Sequence, residues 1–144
     1  MICRLEGGQI WSTSFRKLML GYYGVEFGRY SYGPCLWPGE LPWRTRIKNF
    51  CSLAPGVNIF RRNHPAAFIS LHPFFFNSRL GILDRGPIEA VQDNPVFVMD
   101  DAWVGANSII TPGCRGIGIC SVVGSGTVVI DDVSDFMSVV NNVG

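Results

Sequence analysis

The chain has 144 residues, of which 47% are hydrophobic and only 16% are charged, and its formal net charge is +1. This length supports one domain with a sizeable core, and the composition excludes a disordered chain. The near-neutral charge predicts neither a nucleic acid nor a membrane surface as a partner.

The N-terminal segment predicts a helix from Ser12 to about Tyr23, with Ser/Thr capping at its start. Apolar residues recur there at helical spacing: Phe15, Leu18, Met19 and Tyr22. We expect residues 1–24 to form a helical cap over the open end of the fold, since an uncovered strand edge promotes aggregation. The first eight residues lack the apolar segment of a signal peptide, and no apolar run is long enough to span a membrane, so a cytoplasmic protein is expected.

A six-residue repeat dominates the second half of the chain. Each block opens with an aliphatic residue: Val98, Val104, Ile110, Ile117, Val123 and Val129. The fifth place of each block is small or short: Ala102, Ser108, Cys114, Ser121, Thr127 and Val133. The same phase opens upstream blocks at Ile47, Leu53 and Ile59, while Gly116 is an extra residue that we interpret as a bulge at a corner.

A period of six matches neither an α-helix nor a simple alternating strand. It predicts a coil of short strands, in which the aliphatic residue points inward and the small fifth residue faces the interior near a corner. Stacked coils then pair strand on strand at about 4.8 Å around one continuous core. The fold class is therefore an all-β parallel β-helix over residues 25–144, and nine good blocks make three coils of three sides. A valine-rich β-sandwich is the alternative, but its strands do not hold a six-residue phase for so long.

A long loop from about residue 61 to residue 94 interrupts the repeat and is expected to project from the β-helix. It contains several prolines and a cluster of phenylalanines. Long loops on rigid scaffolds often carry functional residues.

Four segments carry a family resemblance: IKNFCSLAPGVNIFRRNHP, SLHPFFFN, DDAWVGANSIITPGC and GSGTVVIDDV. Over about residues 25–144 the chain resembles the hexapeptide-repeat acyltransferases, within the branch of xenobiotic acetyltransferases and polysaccharide sugar O-acetyltransferases. The resemblance implies a left-handed β-helix, a homotrimer with active sites between subunits, and acetyl-CoA as the co-substrate, without a metal.

The same resemblance implies the site residues. The family's catalytic histidine follows an asparagine at the root of the loop, which makes His64 the general base that takes the proton of an acceptor hydroxyl. Trp103, Ala106 and Ser125 match positions beside the donor and are expected to bind the cofactor. His72 stands where relatives usually have tyrosine, and packing or a contact with the acceptor is the expected role.

Several functions stay open at this point. The expected reaction transfers an acetyl group to a hydroxyl of a sugar or polysaccharide precursor, and the alternative acceptor is an antibiotic of the chloramphenicol or streptogramin type. From another class comes a catalytically degenerate trimeric β-helix that serves as a binding module. The ending Asn141–Gly144 favours it, since relatives continue with Gly-Asn-Pro-Ala and a basic helix, whereas His64 and Trp103 oppose it.

Metal chemistry is not expected. A β-helix carbonic anhydrase needs three histidine ligands for zinc, and the chain has two histidines. Five cysteines without a Cys-x-x-Cys pair predict buried thiols rather than a zinc site or a disulfide framework.

Overall fold

A computed structural model of the chain describes residues 2–63, 66–67, 70–80 and 95–141. Its strands are β1 (Glu26–Phe27), β2 (Arg46–Ile47), β3 (Ser52–Leu53), β4 (Asn58–Ile59), β5 (Phe97–Val98), β6 (Trp103–Val104), β7 (Ile109–Ile110), β8 (Gly116–Ile117), β9 (Val122–Val123), β10 (Val128–Val129) and β11 (Ser138–Val139). Its helices are α1 (Ile2–Leu5), α2 (Thr13–Tyr23) and three 3-10 turns at Pro34–Leu36, Pro73–Phe75 and Ser78–Leu80. Within these ranges no helix has the length and apolar character needed to cross a bilayer.

The chain divides into two compact units. The first unit is Met1–Arg61 together with Asn94–Gly144, and the second is Arg62–Asp93. All of the strands among the described residues belong to the first unit, and the turns at Pro73–Phe75 and Ser78–Leu80 belong to the second.

The strands form three parallel sheets, which run through the stacked coils. The first sheet has the order β1-β2-β5-β8, the second β3-β6-β9-β11 and the third β4-β7-β10. Each strand pairs in parallel with the equivalent strand of the next coil, so that Ile47 lies beside Val98 and Val98 beside Ile117. Three full coils result, namely β2–β4, β5–β7 and β8–β10. This pairing confirms the parallel β-helix, while its left hand stays a prediction.

The predicted core positions are buried in the interior of the coils. The aliphatic residues Val98, Ile110, Ile117 and Val123 have no exposed surface, and the small residues Ser108, Cys114, Ser121 and Thr127 have none either. The serines can be buried because each hydroxyl donates a hydrogen bond to a backbone carbonyl of its own corner. Ser108 Oγ donates to Gly105 O at 2.6 Å, and Ser121 Oγ donates to Gly118 O at 2.7 Å. The phase of the repeat is therefore confirmed.

The extra residue of the repeat is not a bulge at Gly116, and that interpretation is wrong. Gly116 pairs with Phe97 in regular parallel register as part of β8. Other corners of the full coils have four residues between strands, such as residues 99–102, whereas residues 111–115 provide five between β7 and β8. The longer corner absorbs the insertion and is closed by Asp132, whose Oδ1 accepts from the N–H of Gly116 at 2.8 Å.

Helix α2 packs against the first strand of the first sheet. It begins after Ser12, whose Oγ accepts from the Phe15 N–H at 3.1 Å, and it ends at Gly24 in the left-handed conformation. The Phe15 ring contacts the Phe27 ring at a centroid distance of 5.6 Å. Of the four apolar residues at helical spacing, only Phe15 and Met19 are buried.

The other two residues at helical spacing, Leu18 and Tyr22, are exposed by 40% and 81%. Helical spacing correctly predicted the helix but overestimated the width of its buried face.

The corner between the first and second sheets has a repeated left-handed turn. Its central residues have φ between 50° and 64°: Tyr30, Phe50, Asp101, Cys120 and Phe136. At several of these turns, the side chain one position before the left-handed residue forms a hydrogen bond with the preceding coil. Asn49 Oδ1 accepts from the Arg29 N–H at 2.9 Å, and Asp100 Oδ1 accepts from the Asn49 N–H and Nδ2, both at 2.9 Å. These bonds stabilise the stack of coils at this corner.

Candidate functional site

Strand β6 places one side chain outside the coil and one inside. Val104 is buried in the core, and Trp103 faces outward with half of its surface exposed. The alternation of strand side chains requires this arrangement once Val104 is fixed in the core. An exposed tryptophan therefore lies on the outer face of the second sheet.

The corner after β6 stacks tightly on the corner of the next coil. The Gly105 N–H donates to Val123 O, and the Gly126 N–H donates to Ala106 O, both at 2.7 Å. A Cβ added to Gly105 would lie 2.5 Å from Ser125 N, so only glycine permits this approach. The structure thus brings Ala106 and Ser125 together at one corner of two successive coils.

Three of the predicted site residues therefore share one region. Trp103 precedes this corner by two residues on the same strand–turn segment, Ala106 is half-buried in the turn, and Ser125 is exposed. These residues provide an aromatic surface (Trp103), a methyl group (Ala106) and a hydroxyl (Ser125), next to the backbone of two closely stacked coils. Such a surface can bind a ligand, but it provides no group that removes a proton at neutral pH.

The predicted base, His64, lies outside the described residues, and its role stays a prediction. The described chain leads to it from β4 through Arg61, Arg62 and the exposed Asn63.

His72 lies in the second unit and caps a turn. Its Nδ1 accepts from the Phe74 N–H at 3.3 Å, and the two rings meet edge to face at a centroid distance of 4.4 Å. The residue is exposed, and its expected role, packing or a contact with the acceptor, stays a prediction.

The cysteines divide into buried and accessible thiols. Cys35, Cys51 and Cys114 are buried as predicted, whereas Cys120 is exposed and Cys3 is half-buried. Burial raises the pKa of Cys35 and of Cys114 to about 11, so both are protonated thiols at neutral pH. Thiols of this kind pack as small hydrophobic groups and are poor nucleophiles. In the described ranges, His, Cys, Asp and Glu residues form no cluster of three that could hold a metal ion.

A cavity beside α2 was not predicted from the sequence. It has a volume of about 380 Å³ and is lined by Leu20, Gly24, Glu26, Trp43, Arg44 and Arg46. The only signal in the sequence is a tryptophan followed by an arginine after Pro42, just before the repeat becomes regular. That signal is weak, because the cavity also needs a helix that is distant along the chain.

Comparisons with known proteins find similar proteins both by sequence and by structure. No protein-family profile matches the chain. The chain is 28% identical over 135 residues to a chloramphenicol acetyltransferase of Agrobacterium fabrum, and the match covers 88% of this chain and 64% of that protein. Among solved structures it is similar to the serine acetyltransferase of Neisseria gonorrhoeae, with a TM-score of 0.48, 19% identity, and coverage of 88% of this chain and 41% of that chain.

The chain therefore spans less than two thirds of the length of each of these proteins. The sequence match covers most of the present chain, and the parallel β-helix is the fold that the six-residue repeat predicted. Both observations agree with the sequence resemblance to the hexapeptide-repeat acyltransferases.

Proposed function

We propose that this chain provides the β-helix of an acyl-CoA-dependent O-acetyltransferase, which transfers an acetyl group from acetyl-CoA to a hydroxyl of a sugar or polysaccharide precursor. The observation that carries the proposal is the corner at Ala106 and Ser125. There two coils approach so closely that Gly105 cannot carry a side chain, and the half-exposed Trp103 lies beside it. A rigid, side-chain-poor corner next to an aromatic surface suits a long, thin donor such as a pantetheine arm.

The donor residues have separate roles in this proposal. Trp103 provides an apolar face beside the donor. Ala106 and Ser125 leave the backbone accessible along the corner. Because Ala106 has no hydroxyl, the oxyanion of the tetrahedral intermediate is stabilised by backbone N–H groups or water.

His64 is the general base of the proposed reaction. Its neutral imidazole accepts the proton of the acceptor hydroxyl as the oxygen attacks the thioester carbonyl carbon. The tetrahedral intermediate collapses, the carbon–sulfur bond breaks, and the CoA thiolate leaves and is protonated in turn. No covalent acetyl-enzyme is required, since the thioester is already activated.

A hydroxylated antibiotic is the second candidate acceptor. The sequence match to a chloramphenicol acetyltransferase favours it, because that match extends over 88% of this chain. A sugar and an antibiotic differ in apolar surface, so the two acceptors are separable by direct assay.

A homotrimer is the proposed assembly, and exposed apolar side chains support it. The outer side of the third sheet and the residues that follow its strands present Phe60, Val128 and Ile130, which are exposed by 50%, 41% and 63%. A small stack of three coils gains core by burying such a surface between subunits. Light scattering is expected to give a mass near three chains, and a monomer at micromolar concentration would contradict the assembly.

The proposed function is tested by His64→Ala with His72→Ala as the matched control. Acetyl-CoA turnover is followed by thiol release, with panels of sugars and of hydroxylated antibiotics as acceptors. We expect His64→Ala to lower the rate by about 10²–10⁴, the usual effect of losing a positioned general base, while His72→Ala changes it far less. The wild-type rate should rise with pH through the titration of a histidine, because only neutral imidazole accepts a proton.

Two outcomes would contradict the proposal in different ways. An active wild type whose His64→Ala variant keeps most of its rate would remove His64 from the mechanism. A wild type that is trimeric but inert with all acceptors would favour the catalytically degenerate binding module.

A further inference from the structure

The cavity beside α2 has the size of a small-molecule site. Its volume of about 380 Å³ lies within the range of about 300–1,000 Å³ that is usual for ligand pockets. Its walls combine the apolar Leu20, the aromatic Trp43 and the charged Glu26, Arg44 and Arg46. It lies at β1 and β2 on the outer side of the first sheet, away from the corner of Ala106 and Ser125.

The Trp43 ring is held in place by the backbone of α2's C-terminal end. A Cβ added to Gly24 would lie 2.5 Å from the ring atoms Cδ2 and Cε3, so the indole packs directly on the glycine. The side chain nevertheless remains 58% exposed. The cavity therefore has a flat aromatic wall that packs on Gly24 and still offers exposed surface on which a ligand ring can stack.

Arg44 is held in an unusual backbone conformation beside that wall. Its φ is 68°, a left-handed value that costs a residue with a side chain on the order of 1 kcal/mol. Its N–H donates to Gly24 O at 2.9 Å, and the buried Thr45 closes the turn by donating its hydroxyl to Pro42 O at 2.7 Å. The turn thus places Trp43 and Arg44 next to each other at the cavity.

The charges of the cavity leave one guanidinium available. Arg46 Nη1 forms an ion pair with Glu26 Oε2 at 2.9 Å. The guanidinium of Arg44 forms neither a hydrogen bond nor an ion pair with any described residue. Within the described part of the chain, the cavity therefore has a positive charge without a partner beside an aromatic ring that packs on Gly24.

We propose that this cavity binds a small ligand in which an oxyanion, either phosphate or carboxylate, is attached to a flat ring. The ring stacks on Trp43, and the oxyanion accepts hydrogen bonds from the guanidinium of Arg44, whose planar donors match both phosphate and carboxylate. Phenyl phosphate is the simplest probe with both parts, inorganic phosphate has only the anion, and benzyl alcohol has only the ring.

The test is calorimetric titration of the full chain with the three probes, and with benzoate to separate carboxylate from phosphate. We expect phenyl phosphate to bind one site per chain and more tightly than either partial probe. Arg44→Gln should weaken its binding by about 10-fold or more, the effect of one charge-assisted hydrogen-bonded contact. Trp43→Leu should weaken phenyl phosphate and leave inorganic phosphate unchanged.

Matched controls separate this site from general effects of charge and folding. Arg29→Gln removes an exposed guanidinium at another corner, and Trp11→Leu removes an exposed indole there, so both should bind phenyl phosphate as the wild type does. Arg44→Gly suits the left-handed backbone, so it should lose binding without any loss of thermal stability. Binding that Arg44→Gln leaves unchanged, equal weakening by Arg29→Gln, or no binding at millimolar probe would each overturn the proposal. None of these outcomes bears on acetyl transfer.

Discussion

Three glycine-to-alanine substitutions separate close packing from backbone strain in this fold. A Cβ at Gly105 would meet Ser125 N at 2.5 Å and the backbone atoms Gly124 C and Val123 O at 2.8 Å, whereas ordinary contact begins near 3.4 Å. The next coil would therefore have to move by nearly 1 Å, which strains the bonds from Gly105 to Val123 and from Gly126 to Ala106. We expect Gly105→Ala to lower the free energy of unfolding by about 2–4 kcal/mol, from overpacking plus weakened hydrogen bonds.

The other two glycines have open space around them and isolate the remaining effects. Gly126 has φ 69° and no atom within 4 Å of an added Cβ, so Gly126→Ala should cost only the backbone strain, about 1–2 kcal/mol. Gly21 also has open space and is helical, so Gly21→Ala should stabilise the protein by about 0.5–1 kcal/mol.

The measurement is chemical denaturation of all three variants at one protein concentration, because an oligomer's apparent stability depends on concentration. A Gly105→Ala variant within about 0.5 kcal/mol of the wild type, below the cost of overpacking, would refute the packing argument. An equal cost at Gly105 and Gly126 would assign the effect to the backbone alone.

Substitutions at three further positions probe the core and the corner bonds. Ile110→Asp places an unpaired charge inside the coil and should give insoluble protein. Ile110→Val should remain soluble and lower the free energy of unfolding by about 0.5–1.5 kcal/mol. Equal solubility of the two variants would contradict the burial of this position. The Thr127 hydroxyl is buried without a hydrogen-bond partner in the described part of the chain, so Thr127→Val should raise the free energy of unfolding by about 1 kcal/mol in denaturation, and a loss of stability would count against it. Hydrogen bonds from the Asn49 N–H and side-chain amide lower the pKa of Asp100. The ionised Asp100 carboxylate should therefore stabilise the fold fully above about pH 4, and this stabilisation should be lost as the pH falls through the lowered pKa. Acid unfolding curves should then show the wild type losing stability that Asp100→Asn, which has no carboxylate to protonate, does not lose; parallel curves would show that the Asp100 bonds are unimportant.

The coil could be predicted from the sequence because its interior admits few residue types. Inward aliphatic positions such as Val98 and Ile117 are buried as the six-residue phase requires, and Ser108 and Ser121 occupy the small corner positions. The proximity of Ala106 and Ser125 also follows from the repeat. They are 19 residues apart (125 − 106), the same separation as the paired Val98 and Ile117 (117 − 98).

Features that depend on contacts between distant segments could not be predicted. Helical spacing places Leu18 and Tyr22 on the same face of α2 as the buried Phe15 and Met19. Which of these residues are buried depends on the packing of the helix against the rest of the fold, and both Leu18 and Tyr22 stay exposed. The insertion near Gly116 is visible in the sequence. The corner that contains it, however, is closed by a hydrogen bond to Asp132, which lies 16 residues further along the chain and could not be identified as the partner from the sequence.

The cavity at Arg44 requires α2, β1 and β2 to meet, and no local pattern encodes that meeting. In the candidate site, the roles of Trp103, Ala106 and Ser125 came from the family resemblance, while the structure adds their common location.

The stacking of coils also determines the order in which the molecule can open. In a linear array, each coil is stabilised only by its neighbours, so partial unfolding starts at the ends and moves inward. The coil β5–β7 has a full coil on each side and contains Trp103 and Ala106. Amide hydrogens of this coil should exchange with solvent more slowly than those of β1 or β11. The part of the proposed donor surface formed by Trp103 and Ala106 therefore persists when β1 and β11, at the two ends of the stack, have already opened.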